Sequence, residues 1–410
     1  MYEAFSHSPD PDVGTEPRRS IYRNVGKPQH GKALVKTPFS GIVEENGEKI
    51  LTDEMLIALT QWGDKGPIVL FLHGVPTNRR QWRPVQERLA PFCRTIAIDM
   101  LGMGESDKPL QYGKDQDVAA VARTLRLPKA KPNNPYKPWD WIFDTGYINQ
   151  LMLEFYGKEK FIFVADDWGG GINSHFTARY GSKRLLAHVQ LDPIAFDGYP
   201  VSEIQAIGRA SAIEDEATFQ MAMGALDQTM VQIFKTMVHK PDNVYNQYSL
   251  RSIKFPYIDV DYERPGASSM TMGLHWDAIR VLTDRSAILA PDLLLPYDAK
   301  KNPKGVKYDK IDVPTAVLWG DKDNMMPPLQ RLRYIYAHSH PKAKVMPIRI
   351  GEAGHFAASD QVNWVSESIL TFIIFVMGPG KMGDIFLGFD GIWKGDEAMM
   401  RKDLRRIYGM

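Results

Sequence analysis

The residues best placed to do chemistry follow an apolar run over residues 161–165. There Asp167 is the centre of a small-x-acid-x-small pattern, in which Ala165 and Gly169 are the small residues. Small residues on both sides permit a sharp strand-to-helix turn that presents the central side chain at its apex. A carboxylate at such an apex suits displacement at a saturated carbon through an enzyme ester. Asp167 is therefore the candidate nucleophile.

A nucleophile of this kind needs an acid and a histidine base, which are expected in that order after it. His355 is the candidate base, because it follows the apolar run that ends at residue 350. Asp323 follows the preceding apolar run and is the candidate acid, with Asp321 as a weaker choice. Asp192, at the end of an earlier run, is the alternative acid. Ligand sites of open α/β sheets lie at such strand ends, so these side chains are expected to meet.

Two backbone N–H groups are expected to form an oxyanion hole. One belongs to Trp168, directly after the nucleophile, and the other to Val75, in the turn after the apolar run 67–72. The chain has no Gly-x-Ser-x-Gly pattern, which argues against a serine esterase. No glycine-rich dinucleotide loop and no His or Cys metal spacing occurs, so neither a cofactor nor a metal is expected.

The composition is that of an ordinary soluble globular protein. Of 410 residues, 44% are hydrophobic and 24% charged, with a formal net charge of +1, which gives no reason to expect nucleic acid or an anionic membrane as a partner. The single cysteine, Cys93, excludes an intrachain disulfide and is expected to be a buried small apolar residue. The oligomeric state is left open.

No segment predicts a membrane span. The longest apolar run, residues 369–377, is far shorter than the ~20 residues that a spanning helix needs, and it is expected to be a buried core helix. The first 32 residues lack an apolar signal segment, so a cytoplasmic location is the default expectation.

Alternation of β-like and helical runs predicts an α/β fold with a mostly parallel, doubly wound sheet and an inserted helical cap. The predicted organisation is an N-terminal extension (1–45), a first core part (46–195) carrying a surface insertion (110–138), a helical cap (196–308), a second core part (309–378) and a C-terminal extension (379–410).

Three segments resemble the haloalkane dehalogenase and epoxide hydrolase branch of the α/β-hydrolases. They are His73–Thr77, the loop Asp99–Pro109 and the elbow Asp166–Gly170. The likeness covers roughly residues 50–195 and 312–378, is weak in the cap and is absent at both ends. It implies the α/β-hydrolase fold.

The resemblance implies a dehalogenase-like hydrolase that acts on a small apolar organic substrate and water. Asp167 would form an alkyl-enzyme ester, and His355 would activate the water that hydrolyses it. Trp168 would donate its indole N–H to the departing halide, whereas Val75 has no side-chain donor. Trp276, in the cap, is the candidate second donor.

Several alternatives stay open at this point. Trp139 and Trp141 could replace Trp276 as donor, and dehalogenase subgroups place the acid after either the earlier or the later strand. An epoxide hydrolase would use the same Asp-His-Asp triad with tyrosines of the cap. A cofactor-free luciferase or oxygenase on the same scaffold, or a non-catalytic binding protein, are further alternatives. The cap tyrosines considered are Tyr199, Tyr245, Tyr248, Tyr257 and Tyr262.

Overall fold

The chain contains one eight-stranded sheet within the residues that the computed structural model describes. The described residues are 26–45, 48–109, 118–124, 126–196, 202–244, 257, 274–288, 291–326 and 328–377. The strands are β1 (Gln29–Glu45), β2 (Glu48–Trp62), β3 (Ile68–Leu72), β4 (Arg94–Ile98), β5 (Phe161–Asp166), β6 (Leu185–Leu191), β7 (Thr315–Gly320) and β8 (Val345–Ile350).

The strand order is β1-β2-β4-β3-β5-β6-β7-β8. Strands β3 to β8 are parallel to one another, and β2 runs antiparallel to both of its neighbours, β4 and the edge strand β1. All residues of β3, β5 and β7 are buried, as expected for parallel strands covered on both faces. The predicted α/β class and its mostly parallel sheet are confirmed.

Helices connect the parallel strands and build the region between β6 and β7. They are α1 (Arg83–Leu89), α2 (Val118–Thr124), α3 (Trp141–Tyr156), α4 (Asp167–Tyr180), α5 (Ser202–Arg209), α6 (Glu216–Met223), α7 (Leu226–Met237), α8 (Pro241–Val244), α9 (Trp276–Ile288), α10 (Pro291–Leu294), α11 (Pro328–Ala337), α12 (Ala357–Asp360) and α13 (Val362–Met377).

Two apolar cores flank the sheet. Ile68, Leu70 and Leu72 of β3 belong to one core, and Val69 and Phe71 belong to the other, since alternate side chains of a strand point to opposite faces. The helices α5, α6, α7 and α9 join the first core, which therefore continues from the sheet into the cap. The two cores hold the sheet in place from both faces. The sheet in turn sets where the loops at the carboxyl ends of its strands begin.

The N-terminal hairpin differs from what composition suggests. Strand β1 lies in the stretch that sequence analysis assigns to an extension, and it pairs with β2 along most of its length. In the part of β1 whose side chains are described, residues 29–35 and 37, Ala33 and Val35 are buried, whereas Leu34 is half exposed. A strand at the sheet edge, with one strand partner, leaves a weaker pattern in the sequence than a strand buried on both faces.

The predicted surface insertion is tied to the cap by a buried lysine. Lys304 donates to Asp140 Oδ2 over 2.9 Å and to the carbonyl of Pro135 over 2.7 Å, and both charged side chains are almost fully buried. Within the insertion, residues 118–124 form α2. Residues 110–117, like the predicted C-terminal extension, lie outside the described residues.

Cys93 is fully buried, as predicted. Among the described residues, no helix is both long and apolar enough to cross a membrane. The apolar run 369–377 forms the second half of α13, and its Ile369, Phe372 and Ile373 pack into the second core.

Candidate active site

The turn between β5 and α4 carries Asp167 in a left-handed backbone conformation, with φ of 46°. A non-glycine residue with positive φ is strained and is held in place by its surroundings. The turn is tight because it packs directly on the end of β3: a Cβ on Gly169 would lie 2.6 Å from the carbonyl oxygen of His73. A glycine at position 169 is therefore required for this strand-to-helix turn.

The structure brings together the three side chains that sequence analysis predicts as a triad. His355 Nε2 lies 3.0 Å from Asp167 Oδ2, and His355 Nδ1 lies 3.0 Å from Asp323 Oδ2. The side chains of all three are at most 1% exposed. One imidazole thus bridges two carboxylates in a site without bulk water.

Val75 completes this arrangement through its backbone. Its N–H donates to Asp167 Oδ1 over 2.7 Å, so each oxygen of the nucleophile has one partner. The approach is close, because a Cβ on Gly74 would lie 2.4 Å from Asp167 Cβ. The N–H group predicted for the oxyanion hole therefore lies where charge would develop on an ester of Asp167.

Asp323 is held by backbone donors as well as by the histidine. Its Oδ1 accepts the N–H groups of Met325 and Met326, each over 2.9 Å, and its Oδ2 faces His355. Asp321, the weaker candidate, points elsewhere and pairs with Arg349 over 2.9 Å. In this structure Asp323 is the acid that contacts the imidazole.

Asp192 lies beside this group without a hydrogen bond to His355. It is fully buried, has φ of 39°, and its Oδ1 accepts the Gly320 N–H over 2.8 Å. Burial first, and then the neighbouring Asp323 carboxylate, raise the pKa of Asp192 well above its ordinary value. Asp192, the alternative acid of the sequence analysis, is thus a second buried carboxyl group next to Asp323.

The electrostatics favour a charged imidazole in the resting site. Burial alone lowers the pKa of His355, but the Asp323 carboxylate and the hydrogen bonds to Asp167 and Asp323 outweigh it and raise that pKa well above 6.5. This environment favours the charged form of His355 more than an unperturbed imidazole would be favoured.

Asp166 is a further buried carboxyl at the elbow. Burial, followed by the charge of Asp167, raises the pKa of Asp166 well above its ordinary value. Its Oδ2 accepts a hydrogen bond of 2.6 Å from the Gln81 side chain. Sequence analysis quotes this residue only as part of the elbow motif, since nothing in the pattern distinguishes its side chain from a helix cap.

The loop after β4 is fixed to the loop after β3 by a buried ion pair. Arg79 contacts Asp99 and Glu105 through its guanidinium, and the Arg79 N–H also donates to Asp99 Oδ1 over 2.7 Å. His73 adds a link, because its Nε2 accepts the Met100 N–H over 3.0 Å. These contacts fasten the loop that contains Val75 to the loop after β4, and the sequence shows them only as polar residues in two loops.

The predicted tryptophan donors lie in different surroundings. Trp168 is fully buried, with its ring 6.0 Å from that of Trp141. Trp139 is buried with the Arg285 guanidinium over its face. Trp276 is partly buried and packs edge-on against Phe219. Nothing in these contacts brings the indole of Trp276 to Asp167.

One cap tyrosine has the environment of a buried donor. Tyr257 is fully buried, and its hydroxyl has no hydrogen-bond partner among the described residues. Burial raises the pKa of this phenol, so the hydroxyl keeps its proton. The remaining tyrosines considered from the sequence lie outside the described residues: Tyr199, Tyr245, Tyr248 and Tyr262.

An open cavity of about 880 Å³ lies elsewhere, beside β2 and α3, with Trp62, Phe92 and Tyr156 in its wall. None of the triad residues lines it. No cluster of three or more metal-ligating side chains is found in the described part of the chain.

Comparison with known proteins agrees with this geometry at the level of the fold. Residues 67–222 match the family model described as alpha/beta hydrolase fold. Epoxide hydrolase 3 of Xenopus tropicalis is 23% identical over 324 residues, which are 76% of this chain and 72% of that protein. A haloalkane dehalogenase of Mesorhizobium japonicum is 34% identical over 117 residues, which are 28% of this chain and 29% of that protein.

A solved structure supports the same fold. The haloalkane dehalogenase of Bradyrhizobium elkani superposes with a TM-score of 0.54 at 16% identity, covering 84% of this chain and 98% of that one. The longer match is thus to an epoxide hydrolase, and the shorter match, of higher identity, is to a haloalkane dehalogenase.

Proposed function

We propose that this chain, an α/β-hydrolase with relatives among epoxide hydrolases and haloalkane dehalogenases, hydrolyses small electrophiles through a covalent ester on Asp167. One observation carries the proposal. His355 bridges Asp167 and Asp323 at 3.0 Å on each side, while the Val75 N–H holds the other oxygen of Asp167. A carboxylate at the apex, instead of a hydroxyl, favours attack on carbon in an alkyl halide or an epoxide.

In the first step a carboxylate oxygen of Asp167 attacks the carbon and displaces the leaving group, which keeps the bonding electron pair. The alkyl-enzyme ester is uncharged, so His355 loses one of its two anionic partners. Because the hydrogen bond and charge of Asp167 help to raise the pKa of His355, esterification lowers that pKa again. The imidazolium then releases its proton, which leaves with the halide or neutralises the oxyanion of an opened epoxide, and neutral His355 is a competent base.

In the second step neutral His355 takes a proton from water, and the resulting hydroxide attacks the carbonyl carbon of the ester. The oxyanion that forms accepts a hydrogen bond from Val75 N–H, and Trp168 N–H is the second proposed donor. Collapse breaks the bond between the carbonyl carbon and the alkyl oxygen. The alkoxide takes the proton from His355 and leaves as the alcohol. The remaining proton on the Asp167 carboxylic acid then passes to His355, 3.0 Å away, which restores the Asp167 carboxylate.

A carbon–halogen bond in a small apolar molecule is the first substrate class that we propose. Its support is the Asp-Trp-Gly-Gly elbow, in which Trp168 follows the nucleophile, and the 34% identity to a dehalogenase. The departing halide would need N–H donors, and Val75 offers only its backbone.

Epoxide opening is the second candidate, and one observation favours it. The buried Tyr257 hydroxyl has no partner among the described residues and keeps its proton, which suits it to protonate an epoxide oxygen as the ring opens. Replacing Tyr257 by phenylalanine then slows epoxide opening and leaves halide release unchanged.

The test measures halide from bromo- and chloroalkanes and diol from terminal epoxides. The wild type is expected to turn over at least one class, and Asp167→Asn is expected to turn over neither. His355→Gln should release no more than one equivalent of halide and gain the mass of the alkyl group. Asp321→Asn, in the same loop as Asp323 but paired with Arg349, is the control and keeps wild-type turnover. Full turnover by Asp167→Asn, or no covalent adduct in His355→Gln, contradicts the proposal.

A further inference from the structure

A second carboxyl group lies next to the acid of the triad. Asp192, at the end of β6, and Asp323, after β7, are both buried, and Gly320 bonds to both: its N–H donates to Asp192 Oδ1 over 2.8 Å, and its carbonyl accepts the Asp323 N–H over 3.3 Å. After burial, the charge of Asp323 raises the pKa of Asp192. Two ionised carboxylates side by side at a site closed to bulk solvent repel each other strongly, so one of such a pair holds a proton.

The hydrogen bonds decide which of the two is ionised. Asp323 receives two backbone N–H groups and faces the imidazolium of His355. Asp192 receives only the Gly320 N–H, and no donor reaches its Oδ2 within the described residues. The two backbone N–H groups and the His355 imidazole therefore favour the anion at Asp323. Asp192 has only one donor and no direct contact with the imidazole.

We propose that Asp192 is a positioning residue: its neutral carboxylic acid donates a hydrogen bond to the Asp323 carboxylate and weakens the hold of Asp323 on the His355 proton. This role rests on the proposed ester hydrolysis. A donor to Asp323 draws charge away from the oxygen that faces the imidazole. His355 therefore gives up its proton more readily once the ester has formed.

Several titratable groups act on this pair among the described residues. Asp323 and His355 act on Asp192, Asp167 acts on His355, and His355 acts on Asp166. Esterification removes the charge of Asp167. The remaining control over His355 then lies with Asp323, and through it with Asp192.

Two variants that suit the left-handed backbone at this position test the proposal. Asparagine tolerates positive φ, accepts from Gly320 N–H and still offers an N–H to Asp323, so Asp192→Asn should keep the wild-type pH profile of ester hydrolysis. Glycine also accepts positive φ but has no donor. Asp192→Gly should move the acid limb of that profile to higher pH by about one unit. At pH values on that limb, the ester is then hydrolysed roughly tenfold more slowly than in the wild type.

The measurement is single-turnover hydrolysis of the alkyl-enzyme from pH 5 to 9 (a range chosen to span roughly the usual histidine pKa). The formation of the ester serves as the internal reference. An unshifted profile in Asp192→Gly overturns the proposal. Loss of hydrolysis in Asp192→Asn, as complete as in Asp323→Asn, also overturns it, because Asp192 would then be the ionised acid.

A spectroscopic readout keeps this test separate from the proposed function. A neutral carboxylic acid has a C=O stretching band in the infrared that a carboxylate lacks. At pH 7 the difference spectrum of wild type minus Asp192→Asn should contain such a band. The pKa of Asp166 is raised as well, so Asp166→Asn is the control: the band assigned to Asp192 should persist in that variant. A spectrum that Asp192→Asn leaves unchanged overturns the proposal even if the ester forms. If no substrate forms an ester, the proposed function fails while the band still reports the protonation of Asp192.

Discussion

The charge on His355 is the property of a single residue on which the proposed chemistry depends most. The buried carboxyl groups on either side of the imidazole raise its pKa and favour its charged form, yet a base must be neutral. In the proposed mechanism Asp167 loses its charge when it forms the ester, so the pKa of His355 falls only after the attack. Under that proposal, the carboxylate that attacks the substrate also controls when the base becomes available.

This arrangement predicts a pH-dependent stability. The pKa of His355 in the folded state is raised above the unfolded value of about 6.5, so the pair with Asp167 contributes its full stability below that pH and loses it as pH rises through the folded pKa. Asp167→Asn removes one partner. Its deficit in free energy of unfolding should be largest below pH ~6.5 and should shrink at higher pH.

Urea unfolding of both proteins at several pH values measures this deficit, and an NMR titration of His355 gives the pKa directly. The pKa of His355 should be lower in Asp167→Asn than in the wild type. Asp321→Asn is the control, because it removes a nearby carboxylate that pairs with Arg349 and does not contact the imidazole. A deficit that grows as the pH is raised would show that the sign of the coupling is wrong.

At the scale of elements, four loops, which follow β3, β5, β7 and β8, must meet at hydrogen-bond distance at the carboxyl edge of the sheet. The turn after β3 lies so close to the elbow that position 74 admits no side chain, since a Cβ there would be 2.7 Å from Asp167 Oδ1. The elbow meets the same turn at a second point, because Gly169 packs against the carbonyl of His73. These backbone contacts set the position of the Asp167 side chain.

Gly74→Ala should therefore displace the nucleophile and leave most of the fold intact. A displacement of roughly 1 Å costs about 10²-fold in rate when two groups must be aligned, and we expect a loss of that size in single-turnover ester formation. Gly26→Ala, where a Cβ meets nothing within 4 Å, is the control. Ester formation at the wild-type rate in Gly74→Ala would mean that the two loops have room to separate.

Sequence patterns predict elements that are buried or that carry a motif, and fail for those that are neither. The parallel strands appear as apolar runs, and the elbow, Asp323 and His355 are found because each follows such a run. The choice between Asp323 and Asp192 is not visible in the sequence, since it depends on which loop reaches across to the imidazole. Strand β1 and the contacts of Trp276 were missed because edge strands and half-buried indoles leave no distinctive pattern.

At the scale of the whole molecule, the cap is fastened to the sheet domain by a buried cation. Arg285 on α9 pairs with Asp144 on α3 over 2.9 Å and donates to the Leu101 carbonyl in the loop after β4. The two charged side chains are 1% and 5% exposed. Burial and the loss of water make such a pair costly to break from one side only.

Arg285→Leu should lower the free energy of unfolding by about 3–5 kcal/mol, because it leaves Asp144 buried without its cation. Adding Asp144→Asn removes the stranded charge and should restore part of that loss. Glu216→Gln breaks a cap pair in which the glutamate is 57% exposed, and such a pair contributes only about 0–1 kcal/mol. Urea unfolding of the four proteins gives the comparison. If Arg285→Leu costs no more than Glu216→Gln, apolar packing of α9 alone holds the cap, and the loop after β4 owes its position to the Arg79–Asp99 pair.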